Sequence, residues 1–178
     1  YLSDQVPKIE DNFEQIISPE TAYQMISMLE GVVQRGTGRK LKHLNLNLAG
    51  KTGTTNNNTD TWFIGFTSKL VVGIYVGFDE PASLGRYETG GKTAMPIFKK
   101  FILNSISKQD ATPFKVPDGI VMMVVDPATG QKVDFNSKNS IYESFKEKNI
   151  SEADIENNYN DLIFNNSKVG TKEIIRFY

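Results

Sequence analysis

The sequence predicts an α+β fold in which an antiparallel sheet is covered by helices, and three observations predict it. A well-capped amphipathic helix opens the body of the chain, β-rich segments with a tight turn between two of them follow, and a second apolar helix closes the body. Composition agrees: of 178 residues, 39% are hydrophobic, 23% charged and 11% aromatic, which is ordinary for a globular protein.

Residues 1–17 are polar and irregular, with Pro7 and scattered acids. The first helix then starts well: Ser18 is a good N-cap, Pro19 suits the first helical position, and Glu20 favours the positive end of the helix dipole. Ala22, Met25, Ile26, Leu29, Val32 and Val33 recur at helical spacing and predict one apolar face. Gly36-Thr37-Gly38 ends the helix, and Arg39 to Leu44 predict a short helical turn. Strands are expected at Leu46–Thr55, Thr61–Thr67 and Lys69–Asp79, with a polar loop after the first. The last two are rich in Val, Ile and Phe and flank Ser68-Lys69, so they read as a hairpin. Pro81 to Gly91 is a loop. Lys92 to Lys108 returns to helix, with Ile97, Phe98, Phe101, Ile102 and Ser105 on one side.

Beyond that helix the character changes, and we divide the chain into residues 1–110 and a C-terminal extension, 111–178. Ala111 to Pro117 reads as a linker and Gly119 to Val125 as a short strand, with a turn at Pro127–Gly130 leading to Lys132–Phe135. Asn136 to Asn160 is polar, and its composition suits disorder or a loose surface helix as well as a core element. Ile163 to Tyr178 is expected to add one edge strand.

Bulk properties exclude several function classes. The net charge is −1 and the pI about 5.9, so no basic surface argues for nucleic acid. With no cysteine, thiol catalysis, disulfides and thiolate metal sites are all excluded. Neither a cofactor nor a metal is implied. The longest apolar run, Leu70 to Phe78, contains Gly73 and Gly77 and is far shorter than the ~20 residues of a spanning helix. The chain opens at Tyr1 without a Met or a targeting pattern, so truncation is the expectation, with any membrane anchor outside this sequence.

The segment that carries chemistry is Leu48-Ala49-Gly50-Lys51-Thr52-Gly53-Thr54-Thr55. On a strand, Thr52 and Thr54 share one face while Lys51 and Gly53 share the other. Two hydroxyls on one face make a platform of short donors suited to a carboxylate. Lys51 adds positive charge, and Gly53 leaves room for close packing. If the strand lies at a sheet edge, its backbone N–H groups are free for an extended peptide or a developing oxyanion. A phosphate loop would need a glycine five residues before Gly50, where Asn45 stands. A plain strand with surface hydroxyls is the bland rival, and four letters alone favour it.

Context outweighs that rival. Gly36-Thr37-Gly38, Ala49 to Thr55, Asp60-Thr61-Trp62-Phe63-Ile64-Gly65-Phe66 and Val76-Gly77-Phe78-Asp79 stand in one order. Leu84-Gly85, Glu88-Thr89-Gly90-Gly91 and Ala94-Met95-Pro96-Ile97-Phe98 continue it. Over roughly residues 18–103 this closely resembles the bifunctional class A penicillin-binding proteins, a family whose transpeptidase sites include a Lys-Thr-Gly element. The resemblance implies the C-terminal portion of a penicillin-binding transpeptidase, a serine β-lactamase-like domain. Phe114 to Gly130 resembles, more weakly, the segment that follows that domain.

The family's Ser-x-x-Lys and Ser-x-Asn elements precede Lys-Thr-Gly, and the residues before Lys51 contain neither. Ser105-Ile106-Ser107-Lys108 and Ser137-Lys138-Asn139 match them formally but follow Lys51, reversing the order, so neither is assigned a role. Acyl transfer needs that serine and a base to activate it, so this chain alone is expected to be inactive.

For the parent, the resemblance implies a peptidoglycan D,D-transpeptidase. Its serine attacks a stem peptide ending in D-Ala-D-Ala, releases D-alanine and passes the acyl group to a second stem's amine; β-lactams mimic the first substrate. On matching positions, Thr52 and Thr54 would hold the terminal carboxylate and the Thr54 N–H would be one oxyanion donor. Lys51 would be the catalytic lysine facing the missing serine of Ser-x-Asn. Gly53 and Thr55 would complete the substrate-binding stretch. The parent would work on the extracytoplasmic face, anchored in the inner membrane. The alternative is a non-catalytic module that binds D-Ala-terminated peptide. The matches running through Pro96 speak against a β-lactamase or carboxypeptidase fragment.

Other residues attract plainer readings. Trp62 is expected to be buried packing rather than a groove wall. His43 is expected at the surface, having no partner carboxylate at telling spacing. Asp79-Glu80 and the acids from Glu152 to Glu156 read as solvated, and Asn56-Asn57-Asn58 as a polar turn. The glycines of Glu88-Thr89-Gly90-Gly91 either rim the site or simply permit a turn into the next helix.

Overall fold

The structure, a computed structural model, describes residues 14–107, 110–134 and 136–157. Helix α1 runs Pro19–Gln34. Ser18, in extended geometry, accepts the Thr21 N–H on its hydroxyl at 3.3 Å, the cap expected from the sequence. At the other end the N–H groups of Arg35, Gly36 and Gly38 donate back to the Gly31 and Val32 carbonyls. These bonds satisfy carbonyls the helix leaves open and turn the chain out. The apolar stripe follows the expected one in part, with Ala22, Ile26, Leu29 and Val32 half-buried. Tyr23 and Val33 are buried, whereas Met25 and Met28 are about half exposed, at 49% and 54%.

Strands β1 (Ala49–Thr54), β2 (Asp60–Phe66) and β3 (Val71–Gly77) form one antiparallel sheet in the order β1-β2-β3. β1 and β3 are shorter than the sequence suggested, and β2 keeps its length but starts one residue earlier. Asn45 sits in left-handed geometry at φ 52°, so Leu46 and Leu48 enter the core before the ladder begins. Thr67 closes the hairpin: its N–H donates to the Leu70 carbonyl (2.9 Å), and its hydroxyl accepts the Lys69 and Leu70 N–H groups. Lys69 is therefore a turn residue.

Helix α2 (Ala94–Ser105) lies on the sheet face that carries Phe63 and Gly65. A Cβ on Gly65 would stand 2.5 Å from the Phe98 ring, so the glycine is what lets the helix approach. Phe63 and Phe98 meet at 4.8 Å between ring centres, tilted by 57°. They join Val33, Leu41, Leu48, Ala94, Met95 and Ile102 in the main core. Ile97 and Phe101, expected on the same apolar side, are 48% and 42% exposed instead, and Ser105 is exposed. Helix α2 thus has two apolar stripes, and only one meets the described sheet.

The chain from Ala111 is less of a loose linker than its composition suggests. Ala111 is buried and its carbonyl accepts from Asn47 Nδ2 at 2.8 Å, while Phe114 packs edge-on against Phe66. Strands β4 (Ile120–Val125) and β5 (Ile141–Lys146) pair antiparallel in a second sheet. Val121, Met123 and Val125 make a small core of their own with Ile141, Phe145 and Ile150 beside it. The polar region from Asn136 therefore contains an ordered strand, and residues 152–157 are helical. That sheet docks on α1: Gln24 Nε2 donates to the Ser144 carbonyl (3.0 Å), Lys146 Nζ donates to the Thr21 hydroxyl (2.6 Å), and Arg35 pairs with Glu143. Lys132 bridges to Val125. The strand expected at Ile163–Tyr178 and the irregular start, residues 1–13, lie outside the described residues.

Candidate active site

In an antiparallel ladder, alternate residues aim their backbone groups at the partner strand and the others aim away. The Thr55 N–H donates to the Asp60 carbonyl at 3.2 Å, extending the β1–β2 register in which Thr54 faces Thr61. Lys51 and Gly53 therefore aim their backbone at β2, while Gly50, Thr52 and Thr54 aim theirs at the outer edge. Among the described residues, β1 is an edge strand. Its outward donors include the Thr54 N–H.

Side chains follow the pleat. Thr52 and Thr54 stand opposite Phe63 and Thr61, on the helix-covered side, where Thr52 is half-buried and Thr54 exposed. Lys51 and Gly53 stand opposite Ile64 and Trp62, on the side no described element covers. The room left by Gly53 is taken by tryptophan: a Cβ there would sit 3.1 Å from that of Trp62. Trp62 is 42% exposed and lies against Tyr75 at 4.8 Å, so the expected burial is corrected. Its polar-edged ring lies open beside the lysine's strand because nothing described packs over this face. Lys51 Nζ donates to the Thr52 carbonyl at 2.7 Å, which holds the ammonium group at the free edge.

Two segments distant in sequence reach the threonine hydroxyls. The Thr37 and Thr52 hydroxyls are 3.1 Å apart, and the Gly90 N–H donates to Thr54 Oγ1 at 3.0 Å. Sequence reasoning foresaw neither contact: Thr37 read as a helix stop and an element of the family resemblance, and Gly90 as a turn glycine or part of a rim. Gly90 is a contact glycine, since a Cβ there would fall on the Trp62 carbonyl oxygen and lie 2.5 Å from that of Gly53. Thr55 is not part of this row. Its hydroxyl donates to the Asp60 carbonyl (3.2 Å), accepts the Asp60 N–H (3.0 Å) and meets Thr59 Oγ1 (2.9 Å), closing the turn after β1.

The loop from residue 80 to 93 is fixed at both ends. Asn58, in left-handed geometry at φ 53°, donates through Nδ2 to the Gly85 and Arg86 carbonyls, and its own carbonyl accepts the Leu84 N–H. The Asn56–Asn58 turn thus pins the loop as well as reversing the chain. Glu88 accepts from the Thr93 hydroxyl at 2.5 Å and pairs with Lys92 at 3.1 Å. The Thr93 bond, then the Lys92 bond, hold its carboxyl below the usual carboxylate range. His43 is exposed, with Nε2 2.8 Å from Lys99 Nζ, and takes no part.

Other features offer less chemistry. A hollow of about 450 Å³ between the start of α1 and the second sheet is lined by Glu20, Lys146, Glu147, Lys148 and Glu152, a mixed-charge set away from β1. Among the described residues no group of three or more His, Asp or Glu could hold a metal, and no helix is long and apolar enough to cross a membrane. Ser105 ends α2, and Ser137 lies in the connection between β4 and β5.

Comparison with known proteins agrees with this geometry. Residues 6–103 match the penicillin binding protein transpeptidase domain family. Penicillin-binding protein 1A of Rickettsia bellii is 44% identical over 160 residues, covering 86% of this chain and 20% of the relative. Penicillin-binding protein 1A of Pseudomonas aeruginosa is 42% identical over 134 residues, covering 75% and 16%. The crystal structure of penicillin-binding protein 1A from Haemophilus influenzae superposes with a TM-score of 0.63 at 32% identity, covering 72% of this chain and 20% of that one. The chain spans about a fifth of the length of these relatives. With its α+β architecture, edge strand and Lys-Thr-Gly element, the chain belongs to the penicillin-binding protein transpeptidase family, as a portion of a class A member.

Proposed function

We propose that the parent protein is a serine-type peptidoglycan D,D-transpeptidase and that this chain supplies the carboxylate-binding wall of its active site. Residues 1–110 would be the transpeptidase portion and 111–178 an appended extension. The observation that carries the reading is the edge strand β1. It combines an ammonium group at the free edge, two hydroxyls in one row and an outward Thr54 N–H.

Thr52 and Thr54 donate to the terminal carboxylate of a stem peptide ending in D-Ala-D-Ala. That places the penultimate carbonyl along the strand edge, where the Thr54 N–H stabilises the oxyanion as the tetrahedral intermediate forms. Such a donor contributes about 100- to 1000-fold in rate. Lys51, on the uncovered face, turns toward a serine supplied from upstream and helps carry the proton from nucleophile to leaving amine. Collapse of the intermediate releases D-alanine and leaves an acyl-serine. The amine of a second stem then attacks it, and the cross-link forms. A β-lactam enters by the same carboxylate contact and acylates the same serine. The parent acts on the extracytoplasmic side, held by an inner-membrane anchor.

The test is acylation by a reporter penicillin. The isolated chain should remain unlabelled and the full-length parent should label at an upstream serine. In the parent, Lys51→Ala should slow acylation at least ~100-fold, a loss comparable to that of other transition-state groups, with the unfolding midpoint unchanged. Stoichiometric labelling at Ser105, or unchanged reactivity of Lys51→Ala, would overturn the proposal. A parent that binds D-Ala-terminated peptide but never acylates would favour the binding-module alternative.

A further inference from the structure

We infer that Gly90 and Thr37 are positioning residues, Gly90 committing the Thr54 proton to the ligand and Thr37 backing the Thr52 proton when an anion takes it, so that the site selects an anionic peptide terminus. The inference rests on the reading of Thr52 and Thr54 as the carboxylate platform. A threonine hydroxyl is ambivalent, having one proton and two lone pairs. Left alone, it donates or accepts with equal ease and would greet a carboxylate no better than an ammonium group. The structure removes that ambivalence at Thr54. A backbone N–H can only donate, and the Gly90 N–H, 3.0 Å away, occupies a lone pair of Thr54 Oγ1 and leaves its proton to point elsewhere.

Thr37 supports Thr52 by a different route, supplying a proton to it once Thr52 gives its own to an anion. The hydroxyls lie 3.1 Å apart, and either can donate. When Thr52 gives its proton to a carboxylate, Thr37 donates into Thr52, and a chain of bonds running one way polarises each member. Gly91 packs between them, where a Cβ would stand 3.6 Å from the Thr37 carbonyl oxygen and 3.7 Å from Thr52 Cγ2.

Both partners sit on supported backbone. Thr37 lies between Gly36 and Gly38, whose N–H groups donate to the Val32 carbonyl at 3.1 and 2.9 Å. The Gly90 carbonyl accepts the Met95 N–H at 2.8 Å, which ties the loop to the first turn of α2. Gly90 also has to be glycine, because any side chain would strike the Trp62 and Gly53 carbonyls before the N–H could reach Thr54.

The experiment compares, in the full-length parent, acylation by a β-lactam with acylation by the methyl ester of the same compound. The ratio of the two rates reports carboxylate recognition and is insensitive to a uniform loss of activity. Thr54→Val should collapse the ratio. Thr37→Val should lower it about three- to tenfold, the size of one hydrogen bond between neutral groups, and Thr37→Ser should restore it. Gly90→Ala, if it unfolds cooperatively, should lower the ratio by at least as much. A wild-type ratio near one, unmoved by Thr54→Val, would remove the platform reading itself. If Thr54→Val collapses the ratio while Thr37→Val keeps it, the platform stands and this inference falls, whether or not Gly90→Ala folds. A folded Gly90→Ala with the wild-type ratio also overturns it.

Discussion

The two faces of the β1-β2-β3 sheet are built to different ends. On one, Phe63 and Phe98 are fully buried among Leu48, Ala94 and Ile102. On the other, Trp62, Ile64, Val71 and Tyr75 are between 42% and 68% exposed, in company with Lys51. Apolar content is similar, yet only the first face buries it. The first face therefore carries the stability of this part of the molecule. The second carries the lysine assigned to chemistry, and its apolar side chains are kept for something other than the described core.

The largest expected difference between the faces is in unfolding. Phe98→Ala should destabilise the chain by about 3–5 kcal/mol in urea titration, because it removes a ring from a closed core and leaves a cavity. Ile64→Ala should cost less than about 1 kcal/mol, since its side chain is already in water for nearly half its area, 47%. Equal losses would erase the distinction between the faces.

A second contrast lies in α1. Burial pushes the Glu30 carboxyl up to about 7 from an ordinary value of 4.5, and the phenol of Tyr23 is also raised, by burial first and then by the charge of Glu30. A carboxyl whose folded value is raised binds its proton more tightly in the native state than in the unfolded chain. It is neutral in both states well below pH 4.5, so nothing is lost there; between about 4.5 and 7 only the unfolded state ionises, and stability falls. Glu30→Gln should therefore match wild type near pH 4 and exceed it above pH 7. The gain should be on the order of 1–2 kcal/mol, because partial solvent access screens the charge. Parallel stability curves for the two proteins across that range would contradict the assignment.

The smallest expected effect tests polar economy on the covered face. The Thr61 hydroxyl is fully buried and has no hydrogen-bond partner among the described residues. Thr61→Val keeps the shape and removes the orphan, so the unfolding free energy should rise by about 1 kcal/mol. A loss of similar size would reveal a partner that the covered face supplies after all.

What the sequence disclosed follows from how local each cause is. The start of α1 was legible because Ser18, Pro19 and Glu20 act on their own turn, and the hairpin because β-branched residues flank a two-residue turn. Lys51, Thr52 and Thr54 were legible because strand alternation alone puts the hydroxyls in one row. Strand β5 was not, since Ile141 to Lys146 alternates weakly and is held by pairing with β4 and docking on α1, which composition does not encode. Trp62 and the Ile97–Phe101 stripe were misjudged because an apolar residue signals that it can be buried without saying whether a neighbour is present to bury it. Thr37 and Gly90 act across 15 and 36 residues of sequence, so their roles emerge only when loops converge on β1.

Helix α1 is held on two sides, packing through Val33 into the larger core while Thr21, Gln24 and Arg35 grip β5. Its C-terminal end leads straight to Thr37. One helix thus spans both sheets, and the segment that leaves its end carries the hydroxyl that meets Thr52. The Arg35–Glu143 pair fastens that span two residues before Thr37, at the end that faces the threonine row.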